Sequence, residues 1–195
     1  MSVDEKLLVM VIDPSGLDNS TGYGFVTKYL HWTIFLLMAG QFLVGYAMER
    51  ADDVGHVMGF SEDRLFAIHV NLGVSILLLA SVRIVWRLST KLPPWAPTLS
   101  PFERRYAHLV EMALYVLMLA IPLSGLLAAI ANGEDLSFFG LIDVPEIVDD
   151  SDLEDLFVGF HVVSHLAFFV AFALHLGLVI KHQFLDHDRL LNRML

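Results

Sequence analysis

The chain has 195 residues, 56% of them apolar and only 17% charged, with a mean hydropathy of +0.63. An ordinary soluble domain is about a quarter charged, so this composition excludes a water-soluble globule. There is no cysteine, which excludes disulfides, thiolate catalysis, iron–sulfur clusters and covalent cofactor attachment through a CxxCH motif.

In chain order, residues 1–24 come first. Asp4 and Glu5 precede a six-residue apolar run, Leu7–Ile12, that stops at Asp13, a poor signal peptide that reads instead as a retained tail. A hydrocarbon core about 30 Å thick needs about 20 apolar residues of helix, because the backbone polar groups must be satisfied without water. Four stretches meet that need: Tyr29–Met48 and Leu65–Val82, both uncharged, Tyr106–Ala131, carrying only Glu111, and Leu156–Ile180, again uncharged. Pro93, Pro94, Pro97 and Pro101 break the chain between the second and third. The expected fold is an all-α integral membrane protein, a four-transmembrane-helix bundle over residues 25–184, flanked by tails 1–24 and 185–195.

Ten of the twelve basic residues fall on one side: Lys6, Lys28, Arg83, Arg87, Lys91, Arg104, Arg105, Lys181, Arg189 and Arg193. Short loops rich in Lys and Arg stay cytoplasmic, so both termini are expected in the cytoplasm of a bacterial inner membrane. The two outer loops, Glu49–Asp63 and Glu134–Asp155, hold fourteen acids against Arg50 and Arg64, a net charge of −12. The overall charge of −10 is thus a property of one face and gives no support to nucleic-acid binding. Asp149–Asp155 lacks EF-hand spacing and reads as a solvated acidic loop.

The nine histidines are the feature to account for. Ionisable residues inside a span are costly and face the bundle interior or a cofactor. His31 and His108 lie near the inner face and His69 and His161 near the outer one, while His175 is close to the inner end of the fourth span. His161 and His175 are fourteen residues apart, about 21 Å along a helix and roughly 40° apart around it. Two such imidazoles cannot share one ion, but each can meet a partner across a flat macrocycle. His69 matches His161 in depth and His31 matches His175, giving two bis-imidazole haem sites stacked in the bundle. His165, one turn from His161, competes for the outer site, and His108 competes with His31 for the inner one. His108 with Glu111 and Arg105 also forms a polar pocket that suits a quinone head group and its protons, or a plain interfacial histidine. Gly45, fourteen residues after His31, and Gly73, one turn after His69, leave room for a porphyrin. Arg83, Arg87, Arg104 and Arg105 suit the inner propionates and Arg64 the outer. His56, His182 and His187 read as solvated, Phe168, Phe169 and Phe172 as packing or lipid-facing residues, and Trp32, Trp86 and Trp95 as interfacial anchors.

From Lys28 onward the chain resembles the bacterial cytochrome b561 family of small di-haem, quinone-linked membrane proteins. The resemblance rests on Tyr29-Leu-His31-Trp32, on Ile68-His69-Val70 with Gly73, and on Val82-Arg83 with Arg87 before the Pro-rich loop. It continues through Ala107-His108-Leu109, Pro122-x-x-Gly125, Phe139-Gly140-Leu141 and the spaced His161 and His175. It implies a cytochrome with two haem b groups that relays single electrons between ubiquinone or another quinone and a redox partner at the membrane surface. The implied ligand pairs are His31 with His175 and His69 with His161. Some relatives oxidise superoxide and reduce ubiquinone, and others anchor larger dehydrogenase complexes. The acidic outer face departs from the basic funnel of the superoxide-oxidising members and better suits a cationic periplasmic redox protein. A proton or metal-ion transporter would use the same histidines without haem, and would lack a b-type absorption band.

Overall fold

A computed structural model describes residues 22–133 and 136–195. Each apolar stretch folds as a helix longer than the hydropathy window that announced it: α1 Phe25–Val54, α2 Glu62–Ser89, α3 Pro101–Ala131 and α4 Ser151–Ile180. Helices of 28–31 residues are about 42–46 Å long, so they pass through the headgroup layers as well as the hydrocarbon. The extra turns carry the flanking charges, Glu49 and Arg50 on α1 and Glu62, Asp63 and Arg64 on α2.

The helix ends are written into the sequence. α1 stops at Gly55, whose positive φ of 82° lets its N–H return to the Ala51 carbonyl. α3 opens on Ser100 with Pro101 at its first position, and a capping box joins the Ser100 hydroxyl to the Glu103 amide and the Glu103 carboxylate to the Ser100 amide. The Asp150 carboxylate caps α4 by accepting from the amides of Asp152 and Leu153. Ser100→Ala is expected to lower stability by about 1 kcal/mol, readable as an earlier thermal loss of helical circular dichroism in detergent.

Consecutive helices pack side by side, and ring contacts between Phe35 and Phe172 and between Phe42 and Phe169 bring α1 onto α4. Lipid tails are as apolar as leucine, so the bundle is held by close packing rather than by hydrophobic exclusion. Small residues allow that approach: Ala80 and Ala171 are buried at the helix contacts. Ile34, Met38, Ile76, Ala80, Met118 and Ile121 form the central core, while Leu36, Leu43, Leu78, Val116 and Leu166 face outward as the lipid surface.

The α1–α2 and α3–α4 connections, loops by their composition, fold into hairpins: β1 His56–Val57 with β2 Phe60–Ser61, and β3 Leu136–Phe138 with β4 Ile142–Val144. Asn71 of α2 ties the second hairpin to the bundle, its side-chain oxygen accepting from the Phe139 amide at 2.6 Å and its nitrogen donating to Ser137 O.

At the opposite end the chain widens into a π-helical turn, Lys181–Leu185, and returns through a 3-10 turn, Leu190–Arg193, against the start of α1. Trp32 Nε1 donates to Met194 O at 2.8 Å, the Tyr23 amide to Arg193 O, and an Arg193 guanidinium nitrogen to Pro94 O. Most of the 1–24 tail lies outside the described residues. His56 and His187 are exposed as expected, but His182 is not solvated. It is 1% exposed, because the widened turn directs its ring inward, where Nδ1–H donates to Asp188 at 2.7 Å. Burial alone would raise the Asp188 carboxyl, but hydrogen bonds from Thr98, His182 and the Leu190 amide hold it below the usual carboxylate range.

Candidate functional site

α4 presents two imidazoles to two different helices. His175 faces His31 of α1 with ring centroids 6.4 Å apart, and His161 faces His69 of α2 at 6.1 Å. A metal–imidazole bond is about 2 Å long, so two imidazoles bound through Nε2 on opposite sides of one metal have centroids about 6 Å apart. Both pairs have that separation. Between them lies the apolar core together with Phe42 and Phe168, which keeps water out of the space separating the two layers.

The surroundings of each ring bear on what it can hold. His161 Nδ1 is 2.7 Å from the Ile121 carbonyl and 3.3 Å from Ser124 Oγ. A carbonyl only accepts, so Nδ1 carries the proton and Nε2 presents a lone pair, the tautomer that ligation needs. The same Ile121 carbonyl also accepts from Ser124 Oγ at 2.9 Å. His69 Nδ1 is buried with no hydrogen-bond partner, and the Gln41 amide bonds instead to the His69 carbonyl at 2.9 Å. His31 Nδ1 lies 3.3 Å from an Arg83 nitrogen. Arginine only donates, so His31 accepts there, and ligation through Nε2 requires Arg83 to turn to another acceptor such as a propionate.

Glycines stand at the outer pair. A Cβ on Gly45 would come within 3.1 Å of His69 Cε1, and one on Gly125 within 2.7 Å of His161 Cε1. Gly73 is less confined, its nearest neighbour being Gln41 Nε2 at 3.5 Å. Two pairs of imidazoles at the separation of two ligands on one metal, the Nε2 lone pair left free on His161 and side-chain-free helix surface beside the outer pair fit a haem held through histidine. His165 packs edge-on against His161 at 4.4 Å and against Phe42 at 5.2 Å.

The basic residues divide. Arg83 stands at the His31–His175 pair and also donates to Thr27 O. Arg87 approaches Glu111 at 3.5 Å, Arg104 donates to Leu99 O, Arg105 is exposed, and Arg64 lies over the Phe60 ring. Of the pocket expected around His108, Glu111 turns toward Arg87 while His108 is exposed on α3. Two polar contributors have no role in the sequence analysis, Gln41, a lone amide in an apolar span, and Ser124, and Gly125 figures there only as part of the Pro122-x-x-Gly125 motif. Each was visible as a departure from the apolar run.

The prokaryotic cytochrome b561 family matches residues 22–195. The chain is 30% identical over 174 residues to cytochrome b561 homolog 2 of Escherichia coli strain K12, covering 89% of this chain and 90% of that protein. It is 27% identical over 167 residues to the probable superoxide oxidase CybB of Yersinia pestis, covering 85% and 91% of the two chains. It is likewise 27% identical over 169 residues to cytochrome b561 homolog 1 of Escherichia coli strain K12, covering 86% and 93%. With four helices long and apolar enough to cross a bilayer, the chain belongs to the prokaryotic cytochrome b561 family of haem b proteins and is a multi-pass protein of the bacterial inner membrane.

Proposed function

We propose that this cytochrome carries two haem b groups, one between His31 and His175 and one between His69 and His161, and relays single electrons between membrane quinone and a redox protein at its acidic face. The observation that carries this reading is the two imidazole pairs at centroid separations of 6.4 and 6.1 Å, each sharing α4. Haem iron, when bound, supplies a one-electron couple within the hydrocarbon. The chain does the rest. The paired imidazoles of His31 with His175 and of His69 with His161 would hold the iron from the protein side, and the bound haem would supply electron transfer rather than a substrate-binding metal. Gly45, Gly73 and Gly125 keep bulky side chains off the rings' helix surfaces. Arg83 and Arg87, with Arg104 and Arg105 further out, supply positive charge for the propionates of the inner group. Arg64 serves the outer group.

The Lys and Arg distribution supports both termini in the cytoplasm, which puts the His31–His175 pair on the inner side and the hairpins outside. On this orientation His108, exposed on α3 at the inner surface, holds the proton that ubiquinone or another quinone exchanges there, with Glu111 beside Arg87 one turn further into the span. His108→Ala is expected to slow quinol oxidation at unchanged haem content, and an unaltered rate removes His108 from that role.

The outer loops, at a net −12, favour a cationic periplasmic redox partner. Stopped-flow mixing of the quinol-reduced protein with a basic soluble cytochrome tests this directly. The second-order rate constant is expected to fall about tenfold or more between 10 and 150 mM salt, as screening shortens the reach of the field. A rate independent of salt rejects electrostatic docking. Superoxide oxidation linked to ubiquinone is the second reading, favoured by the likeness to the Yersinia pestis protein, but the same charge repels an anion. Quinol turnover by the purified chain alone separates either activity from service as a membrane anchor in a larger dehydrogenase complex.

A further inference from the structure

We propose that Glu103, His182 and Asp186 form a site for a divalent transition-metal ion at the tail end of the bundle, separate from the haem layers and independent of the electron-transfer reading. One donor atom from each of the three residues lies within 4.8 Å of the other two. Glu103 is held by the α3 capping box, which takes one carboxylate oxygen to the Ser100 amide at 2.8 Å and leaves Oε1 facing the cluster. His182 is almost wholly buried, yet its Nε2 has no hydrogen-bond partner and lies 3.6 Å from that Oε1. A bare nitrogen in such a position is costly unless something fills the space beside it.

The other ring nitrogen explains what that something is. Nδ1–H donates to Asp188 Oδ2 at 2.7 Å, with Asp186 Oδ2 further off at 3.2 Å from the same nitrogen, and Asp188 is itself fixed by Thr98 and by the Leu190 amide at 3.2 Å. A carboxylate behind an imidazole, orienting it and fixing its tautomer, is the usual support of a metal-bound histidine. One imidazole and two carboxylates are a mixed nitrogen and oxygen set that suits zinc and its first-row neighbours better than calcium or magnesium.

Lys181 completes the picture as the resting counter-ion. Its ammonium bridges Glu103 Oε1 at 2.7 Å and Asp186 Oδ2 at 2.5 Å, between the carboxylates a metal would join. Its side chain is 43% exposed, and a cleft of about 350 Å³ lined by Glu103, Tyr106, Gly177 and Lys181 opens beside it. The ammonium can therefore swing into solvent as the metal enters. Binding exchanges Lys181 for the ion and clasps the segment after α4 to the N-terminus of α3.

The test is calorimetric titration of the chelator-treated, haem-loaded protein in detergent with Zn²⁺ alone, with haem content checked in every variant. One Zn²⁺ per chain is expected at micromolar affinity or better. Glu103→Gln, which preserves the capping box, and His182→Gln should each weaken it about 100-fold, and Asp188→Asn about 10- to 100-fold. Lys181→Met should tighten it by roughly tenfold, because the competing ammonium is gone. This sign is opposite to that of a variant that merely loosens the fold. Absence of Zn²⁺ binding in both the parent and Lys181→Met, or an affinity indifferent to His182 and Lys181, overturns the site and leaves the cluster a network of ion pairs and hydrogen bonds.

Discussion

His175→Ala is expected to halve the haem content, from two haems per chain to about one, by pyridine haemochrome assay. His161→Ala should have the same effect through the other site. Each substitution removes one of the two imidazoles that stand about 6 Å apart, and a single remaining imidazole would hold the haem far less tightly than the pair. The two layers are separated by the Ile34, Met38, Ile76 and Ile121 core, so loss at one should leave the other's redox titration wave in place. The double variant should be colourless. His165 provides the internal control, because its ring lies 4.4 Å from His161 on the same helix. His165→Ala should retain both haems. If His161→Ala instead keeps two and His165→Ala loses one, the outer ligand is His165 and the pairing proposed for that layer is wrong.

The parts of this architecture legible in the sequence are those set by one helix or one span at a time. Four apolar stretches, only one of them carrying a charge, announce four helices, since lipid imposes the same requirement on each segment independently. The facing of His161 and His175 toward separate partners follows from counting along one helix. The helix ends ran past the hydropathy windows because caps such as the Ser100–Glu103 box, not apolar content, decide where a helix stops. The hairpins were not legible for a related reason. Each turns on a residue followed by glycine with both φ positive, Met58 at 53° and Gly59 at 85°, Phe139 at 57° and Gly140 at 64°. Such turns favour Asn or Asp first, and methionine and phenylalanine carry no such signature. The burial of His182 depends on Glu103 and Thr98, far away in the chain, and on a widened turn that hydropathy does not register.

Gly125→Ala is expected to disturb the outer site far more than an exchange of one hydrogen for a methyl suggests. In an ordinary helix position alanine is preferred over glycine by up to about 1 kcal/mol. Here the new Cβ would fall 2.7 Å from His161 Cε1 and 3.0 Å from its Nδ1, and the ring cannot retreat without giving up its 2.7 Å bond to the Ile121 carbonyl. Overpacking of this kind costs about 1–3 kcal/mol, which exceeds the propensity gain and falls on the ring that the outer haem needs. The three glycines give a graded series, because the nearest atom is at 2.7 Å for Gly125, 3.1 Å for Gly45 and 3.5 Å for Gly73. Outer-haem occupancy and the low-spin electron paramagnetic resonance signal should be most altered in Gly125→Ala, less in Gly45→Ala and least in Gly73→Ala, with the inner haem unchanged throughout. His161 reaches Nε2 ligation only if its ring stays where Ile121 and Gly125 allow it. Three variants with the spectrum and haem content of the parent would mean that the outer haem does not depend on that ring.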